Sequence, residues 1–129
     1  MDVVVARYEE DLAWLAPIAA DCVVYNKGSA VVNTFRSLVE LPNVGREAHT
    51  YLHHIVTNYD SLADVTVFVQ GCIADHVRGE AVGFVTRLTR EALASGMSGN
   101  TRELPDGYDF RLQECYGPLA QYENMCLGE

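Results

Sequence analysis

Val3-Val4-Val5-Ala6 and Cys22-Val23-Val24-Tyr25, separated by a stretch in which Leu12, Trp14, Leu15 and Ile18 recur, decide the fold. Neither apolar run alternates with polar residues, so both read as strands buried on two faces. Leu12, Trp14, Leu15 and Ile18 fall on one side of a short helix. Strand, helix and strand make a crossover, and a connection carrying its own helix is what parallel strands require. The second run closes in Asn26-Lys27-Gly28, a turn signal.

Downstream, Ser29 to Leu41 is ambiguous and reads as a long, partly ordered connection, with Val31-Val32 and Leu38-Val39 as short apolar pairs around Phe35. Pro42 and Gly45 stop whatever precedes them. Ala48, Tyr51, Leu52, Ile55, Val56 and Tyr59 then recur at helical spacing, which predicts a helix from about Arg46 to Asn58 with those residues on its buried face. On that phasing His49 and His53 fall at the border and His54 points outward. Asp60 to Asp64 reads as a turn, Val65 to Val69 as a third buried strand ending in Gln70-Gly71, and Ala81, Phe84, Val85, Leu88 and Ala92 as another helical stripe. Gly96 to Asp109 reads as a loop, Phe110-Arg111-Leu112 as a short strand, and the tail from Gly117 as an irregular cover. No repeat or linker divides the chain. Strands alternating with helices predict one domain over residues 1–129, a three-layer α/β/α arrangement around a mainly parallel sheet.

A chain of 129 residues, 49% hydrophobic and 21% charged, is long enough to bury a core without disulfides or metal. Nine Lys and Arg against eighteen Asp and Glu give a formal charge of −9, which opposes attraction to nucleic acid or an anionic membrane. Cys22, Cys72, Cys115 and Cys126 show no C-x-x-C spacing and read as reduced thiols. The stretch Met1-Asp2-Val3-Val4-Val5-Ala6-Arg7 is acidic where a signal peptide is basic, and no apolar run reaches the ~18–20 residues that span a bilayer. The expectation is a soluble, cytoplasmic protein.

In an open α/β sheet, ligands bind beyond the carboxyl ends of the strands. Strand one is followed by Arg7 and Tyr8, strand two by Asn26 and Lys27, and the strand over Val65 to Val69 by Gln70 and Gly71. Asn43, Gly45, Arg46 and Glu47 sit at a helix start able to face the same edge. Arg7, Lys27 and Arg46 would then converge, which suits an anionic ligand such as a nucleoside diphosphate. Tyr51, Tyr59, Trp14 and Phe68 read as core aromatics, whereas Tyr8 is a candidate stacking platform. No G-x-S-x-G, Walker loop or G-x-G-x-x-G occurs, so acyl transfer, phosphoryl transfer and dinucleotide chemistry have no motif behind them.

Val3-Val4-Val5-Ala6-Arg7-Tyr8, Tyr25-Asn26-Lys27-Gly28, Leu41-Pro42-Asn43-Val44-Gly45-Arg46-Glu47, Thr50-Tyr51-Leu52, Asn58-Tyr59-Asp60 and Phe68-Val69-Gln70-Gly71 together resemble a domain family of unknown function. That family is itself similar to nucleotide-sugar glycosyltransferases of the GT-A fold. The resemblance runs from about Val3 to His76 and implies a reduced GT-A-like domain that binds a nucleotide-sugar donor and passes the sugar to an acceptor. By that resemblance Ala6, Arg7 and Tyr8 meet the base and ribose, Asn26 and Lys27 line the neighbouring edge, and Asn43, Gly45, Arg46 and Glu47 orient the ribose or diphosphate, with Gln70 and Gly71 alongside. Such enzymes carry a D-x-D element after a central strand to hold a divalent cation, manganese or magnesium. This chain has Gln70-Gly71-Cys72 there and no D-x-D anywhere. Either Asp75 and His76 take over metal or acid–base duty, or the metal has been lost.

Asp75 is the first candidate for the carboxylate that removes an acceptor proton. It is equally a helix N-cap ahead of the stripe beginning near Val77. Glu47 divides in the same way between a functional role and a first-turn partner of the helix dipole. Two other functional classes remain: a non-catalytic binding or assembly module, consistent with the missing D-x-D, and a metal-dependent hydrolase using His49, His53 and His76. His49 and His53 lie four residues apart, as in a two-ligand zinc site, but H-E-x-x-H is absent.

Overall fold

A computed structural model describes residues 1–74, 77 and 79–99, all within the unit Met1–Gly99. Four strands form one all-parallel sheet in the order β3-β2-β1-β4. They are β1 (Asp2–Arg7), β2 (Cys22–Asn26), β3 (Ser37–Glu40) and β4 (Thr66–Gln70). The register pairs Val5 with Val24 and Val69, and Ala6 with Tyr25 and Gln70, so the carboxyl ends of β1, β2 and β4 lie level. The small α/β domain expected from the alternating runs is present. The expected readings of Phe110-Arg111-Leu112, of the tail from Gly117 and of the loop beyond Gly99 lie outside the described residues.

Helices cover both faces. On one, α2 (Ala81–Ser95) and a 3-10 helix (Ala13–Asp21) bury Val3, Val5, Leu15, Cys22, Val24, Val67, Val69, Val85 and Leu88. Burial pushes the Cys22 thiol up to about 11, which keeps it a neutral packing group. The short helix expected here is 3-10, with Pro17 inside it supplying no N–H and the backbone leaving helical angles at Ile18. α2 begins where Glu80 accepts hydrogen bonds from the Val82 and Gly83 amides and ends at Gly96, with φ +81°. Glu80 caps it, and Asp75, the cap expected from the sequence, lies outside the described residues. The ambiguous Ser29–Leu41 connection contains β3 at the sheet edge, tied back where Arg36 pairs with Asp2 at 2.8 Å.

On the other face, α1 (Arg46–Thr57) covers Val4, Val23, Tyr25 and Phe68, but with a different side inward than the periodicity predicts. Thr50 and His54 are buried, while Leu52, Val56 and Tyr59 are 63%, 73% and 74% exposed and Ala48 is exposed too. Tyr59 is therefore not a core aromatic, and His54 does not point outward. The physical reason is a partner in the sheet: the Tyr25 hydroxyl lies 3.0 Å from His54 Nδ1, so the imidazole is buried with one nitrogen satisfied. Tyr51 still reaches the sheet and lies against Phe68.

Candidate functional site

The carboxyl ends of β1, β2 and β4 are locked together by the residues that follow them. Arg7 is buried and spends its guanidinium on three acceptors. Nη1 donates to Asn26 Oδ1 at 2.6 Å and to the Ser29 carbonyl at 2.8 Å, and Nε donates to the Glu10 carbonyl at 3.0 Å. Nη2 makes no hydrogen bond among the described residues. Asn26, fully buried, turns its amide to the Glu40 carboxylate at 3.0 and 3.1 Å and to the Ser29 carbonyl at 3.0 Å. That joins the loop after β2 to the end of β3. A methyl on Gly28 would stand 1.8 Å from the Tyr8 carbonyl oxygen, so only glycine lets the loops after β1 and β2 touch. Gly71 is similarly boxed in. Its carbonyl accepts the Trp14 indole N–H at 2.7 Å, and the Glu10 carboxylate lies where its side chain would begin.

The start of α1 is brought to the same edge by Lys27. Its ammonium donates to the carbonyls of Val44 and Arg46, and burial pulls its pKa below the ordinary lysine value against the opposing charge of Glu47. The loop it holds is strained. Gly45 and Arg46 have φ of +61° and +47°, and the second is a left-handed position that costs an ordinary residue about 1–2 kcal/mol. Backbone strain of this kind gathers at functional sites.

Between these loops opens a cleft of about 360 Å³, within the range of small-molecule sites. Its floor and walls come from Ala6 and Arg7 at the end of β1, Tyr8 just after it and Gln70 at the end of β4, with Lys27 after β2 and Asn43, Arg46 and Glu47 at the head of α1. The chain leaves β1 toward β2 and β3 on one side and returns to place β4 on the other. The cleft therefore sits at the topological switch point, where open parallel sheets receive ligands.

The structure thus gathers most of the anticipated donor-binding residues around one cavity. Asn26, Gly45 and Gly71 do not line it; they shape the loops that do. Asp75 and His76 lie outside the described residues. Glu10 lines the cleft unanticipated, although its place three residues after β1 in the run Glu9-Glu10-Asp11 is a usable signal. Three cations and two carboxylates, Glu10 and Glu47, make the cleft locally positive in a chain of net charge −9. Tyr8 stands half exposed at the rim.

A family model described as Protein of unknown function (DUF3431) matches residues 3–95. The chain belongs to the DUF3431 family. Among the described residues the matched span takes in the four strands, but for Asp2 at the start of β1, and both α-helices, so the cleft is built wholly within the DUF3431 region. No curated protein and no solved structure matches the chain. No helix among the described residues is long and apolar enough to cross a membrane.

A zinc centre on α1 finds no third ligand among the described residues, where no three His, Cys, Asp or Glu side chains are placed to share a metal ion. His49 and His53 lie stacked with ring centroids 6.1 Å apart, and His54 is turned into the sheet.

Proposed function

We propose that the cleft binds a nucleoside-diphosphate sugar and that the protein transfers the sugar to an acceptor hydroxyl. The observation that carries this reading is the locally positive cleft at the switch point, where Arg7 keeps Nη2 uncommitted and the Arg46 guanidinium has no hydrogen-bond or salt-bridge partner among the described residues. Diphosphate oxygens accept charge-assisted hydrogen bonds from such groups. The exposed Tyr8 ring offers a stacking face for a base, and Asn43 and Gln70 offer amides to a ribose or sugar. The cytoplasmic setting and a manganese or magnesium cofactor belong to the same reading. The cleft's own cations, Arg7 and Arg46, stand where they can neutralise the leaving diphosphate.

Arg46→Gly is the informative variant, because it relieves the left-handed strain while deleting the guanidinium. Calorimetric titration with UDP-glucose, UDP-N-acetylglucosamine and GDP-mannose, with and without manganese, is expected to give saturable binding that weakens about 10- to 100-fold in Arg46→Gly. Stability should stay within about 1 kcal/mol, since strain relief and glycine's entropic cost oppose one another. Absence of saturable binding to every donor removes the reading. A second reading, a binding module without turnover, is favoured by Gln70-Gly71-Cys72 standing where the acidic metal-binding element is expected. It predicts the same titration and no donor consumption.

A further inference from the structure

We infer that Glu47 is the carboxylate that takes the proton from the attacking hydroxyl, an assignment that rests on the nucleotide-sugar reading of the cleft. Two carboxylates line that cavity among the described residues, and their surroundings separate them. Glu10 is a strut. Its Oε2 accepts the Tyr8 amide at 2.6 Å, its side chain lies against Gly71, and its backbone carbonyl anchors Arg7. Taking a proton there would loosen the loop that forms the cleft wall.

Glu47 has no such duty. Its side chain makes no hydrogen bond among the described residues and is half buried in the first turn of α1, immediately after the strained Arg46. Its charge reaches the cavity at Lys27, where it partly offsets the effect of burial. Arg46 and Glu47 are adjacent at the head of α1 and both line the cleft, so they can flank one bound sugar, the first at the diphosphate and the second at the attacking group. A carboxylate in a cleft with no other hydrogen-bonding duty is free to act as a general base.

The step balances without an added reactant. The acceptor oxygen forms its bond to the anomeric carbon while its proton passes to a Glu47 carboxylate oxygen. The bond from that carbon to the diphosphate oxygen breaks, and its electron pair leaves on the nucleoside diphosphate beside Arg7 and Arg46. Attack from the face opposite the diphosphate inverts the anomeric centre, and Glu47 returns its proton to solvent after product release. Water in place of the acceptor gives donor hydrolysis by the same movements.

The test is Glu47→Gln in the full chain, with hydrolysis of the UDP- and GDP-sugars as the readout of turnover. The expected result is a donor Kd within about threefold of the parent and a kcat lower by about 10²- to 10⁴-fold, with loss of the acidic limb of the kcat profile. Retained kcat in Glu47→Gln overturns the assignment. So does a weaker donor Kd with kcat unchanged at saturation, which makes Glu47 a binding residue. A parent protein that binds donor without consuming it overturns the assignment while leaving donor recognition standing, whereas a parent protein that binds no donor fails the nucleotide-sugar reading itself. Glu47→Asp separates chemistry from folding, since it should recover part of kcat on a shorter arm.

Discussion

The two faces of the sheet are packed by opposite means. Beneath α2 and the 3-10 helix the contact is apolar throughout, with Val3, Val5, Leu15, Val24 and Val85 all fully or almost fully buried. Beneath α1 the buried helix positions are Thr50 and His54, and apolar residues of the same helix face outward. Both helices lie on one sheet of β-branched strands, so the difference comes from the helices. The α2 side is the store of stability. The α1 side gives up apolar burial for a polar contact that fixes the helix over Tyr25, and the head of that helix is what delivers Asn43, Arg46 and Glu47 to the cleft.

The largest effect that sharpens this contrast is expected at Leu15. Truncating it to alanine removes a fully buried side chain from close-packed surroundings and should cost about 2–5 kcal/mol in urea unfolding, with the m-value unchanged. A loss below about 1 kcal/mol would mean that the α2 side is not the stable half, and the comparison would break there.

A smaller, pH-dependent effect is expected from His54. Burial lowers its pKa below the usual histidine value; Asp2 opposes that shift, while Arg36 and His53 reinforce it, and the Tyr25 hydroxyl is its hydrogen-bond neighbour. The folded state therefore favours the neutral ring. The unfolded chain binds the proton more readily, so the contribution of His54 is intact above about pH 6.5 and is lost as pH falls through its lowered folded value. Unfolding free energies measured at pH 7.5 and 5.5 should show a drop at the lower pH that His54→Asn reduces. An identical drop in both proteins would move the pH sensitivity to another group.

The legibility of the chain divides along the same line. β1, β2 and β4 were readable because parallel strands buried on both faces need unbroken β-branched runs, and the residues after them pointed to the cleft through topology alone. α1 was readable as a helix but not in its rotation. Its apolar residues outnumber those the sheet can cover, and hydrophobic periodicity has no means of knowing that Tyr25 offers a partner to His54. β3 was hidden because an edge strand of four residues, three partly buried and Glu40 exposed, leaves almost no pattern. Within the site, side-chain type alone did not separate Arg7 and Lys27, both partly consumed in holding loops, from Arg46, or a strut such as Glu10 from an uncommitted Glu47.

The smallest effect is expected where the sequence pattern promised a large one. Leu52 and Val56 belong to the stripe that periodicity assigns to the core, yet both are mostly exposed. Exposed apolar side chains have little transfer free energy left to lose, so Leu52→Ser and Val56→Ser should each change unfolding free energy by no more than about 0.5 kcal/mol apart from serine's lower helix propensity. The measurement is decisive when repeated at two protein concentrations tenfold apart. A loss above about 1 kcal/mol at both would put these side chains inside the folded chain and reverse the rotation assigned to α1. A loss at the higher concentration only would mean that another copy covers the stripe, because a self-associated state is stabilised by mass action.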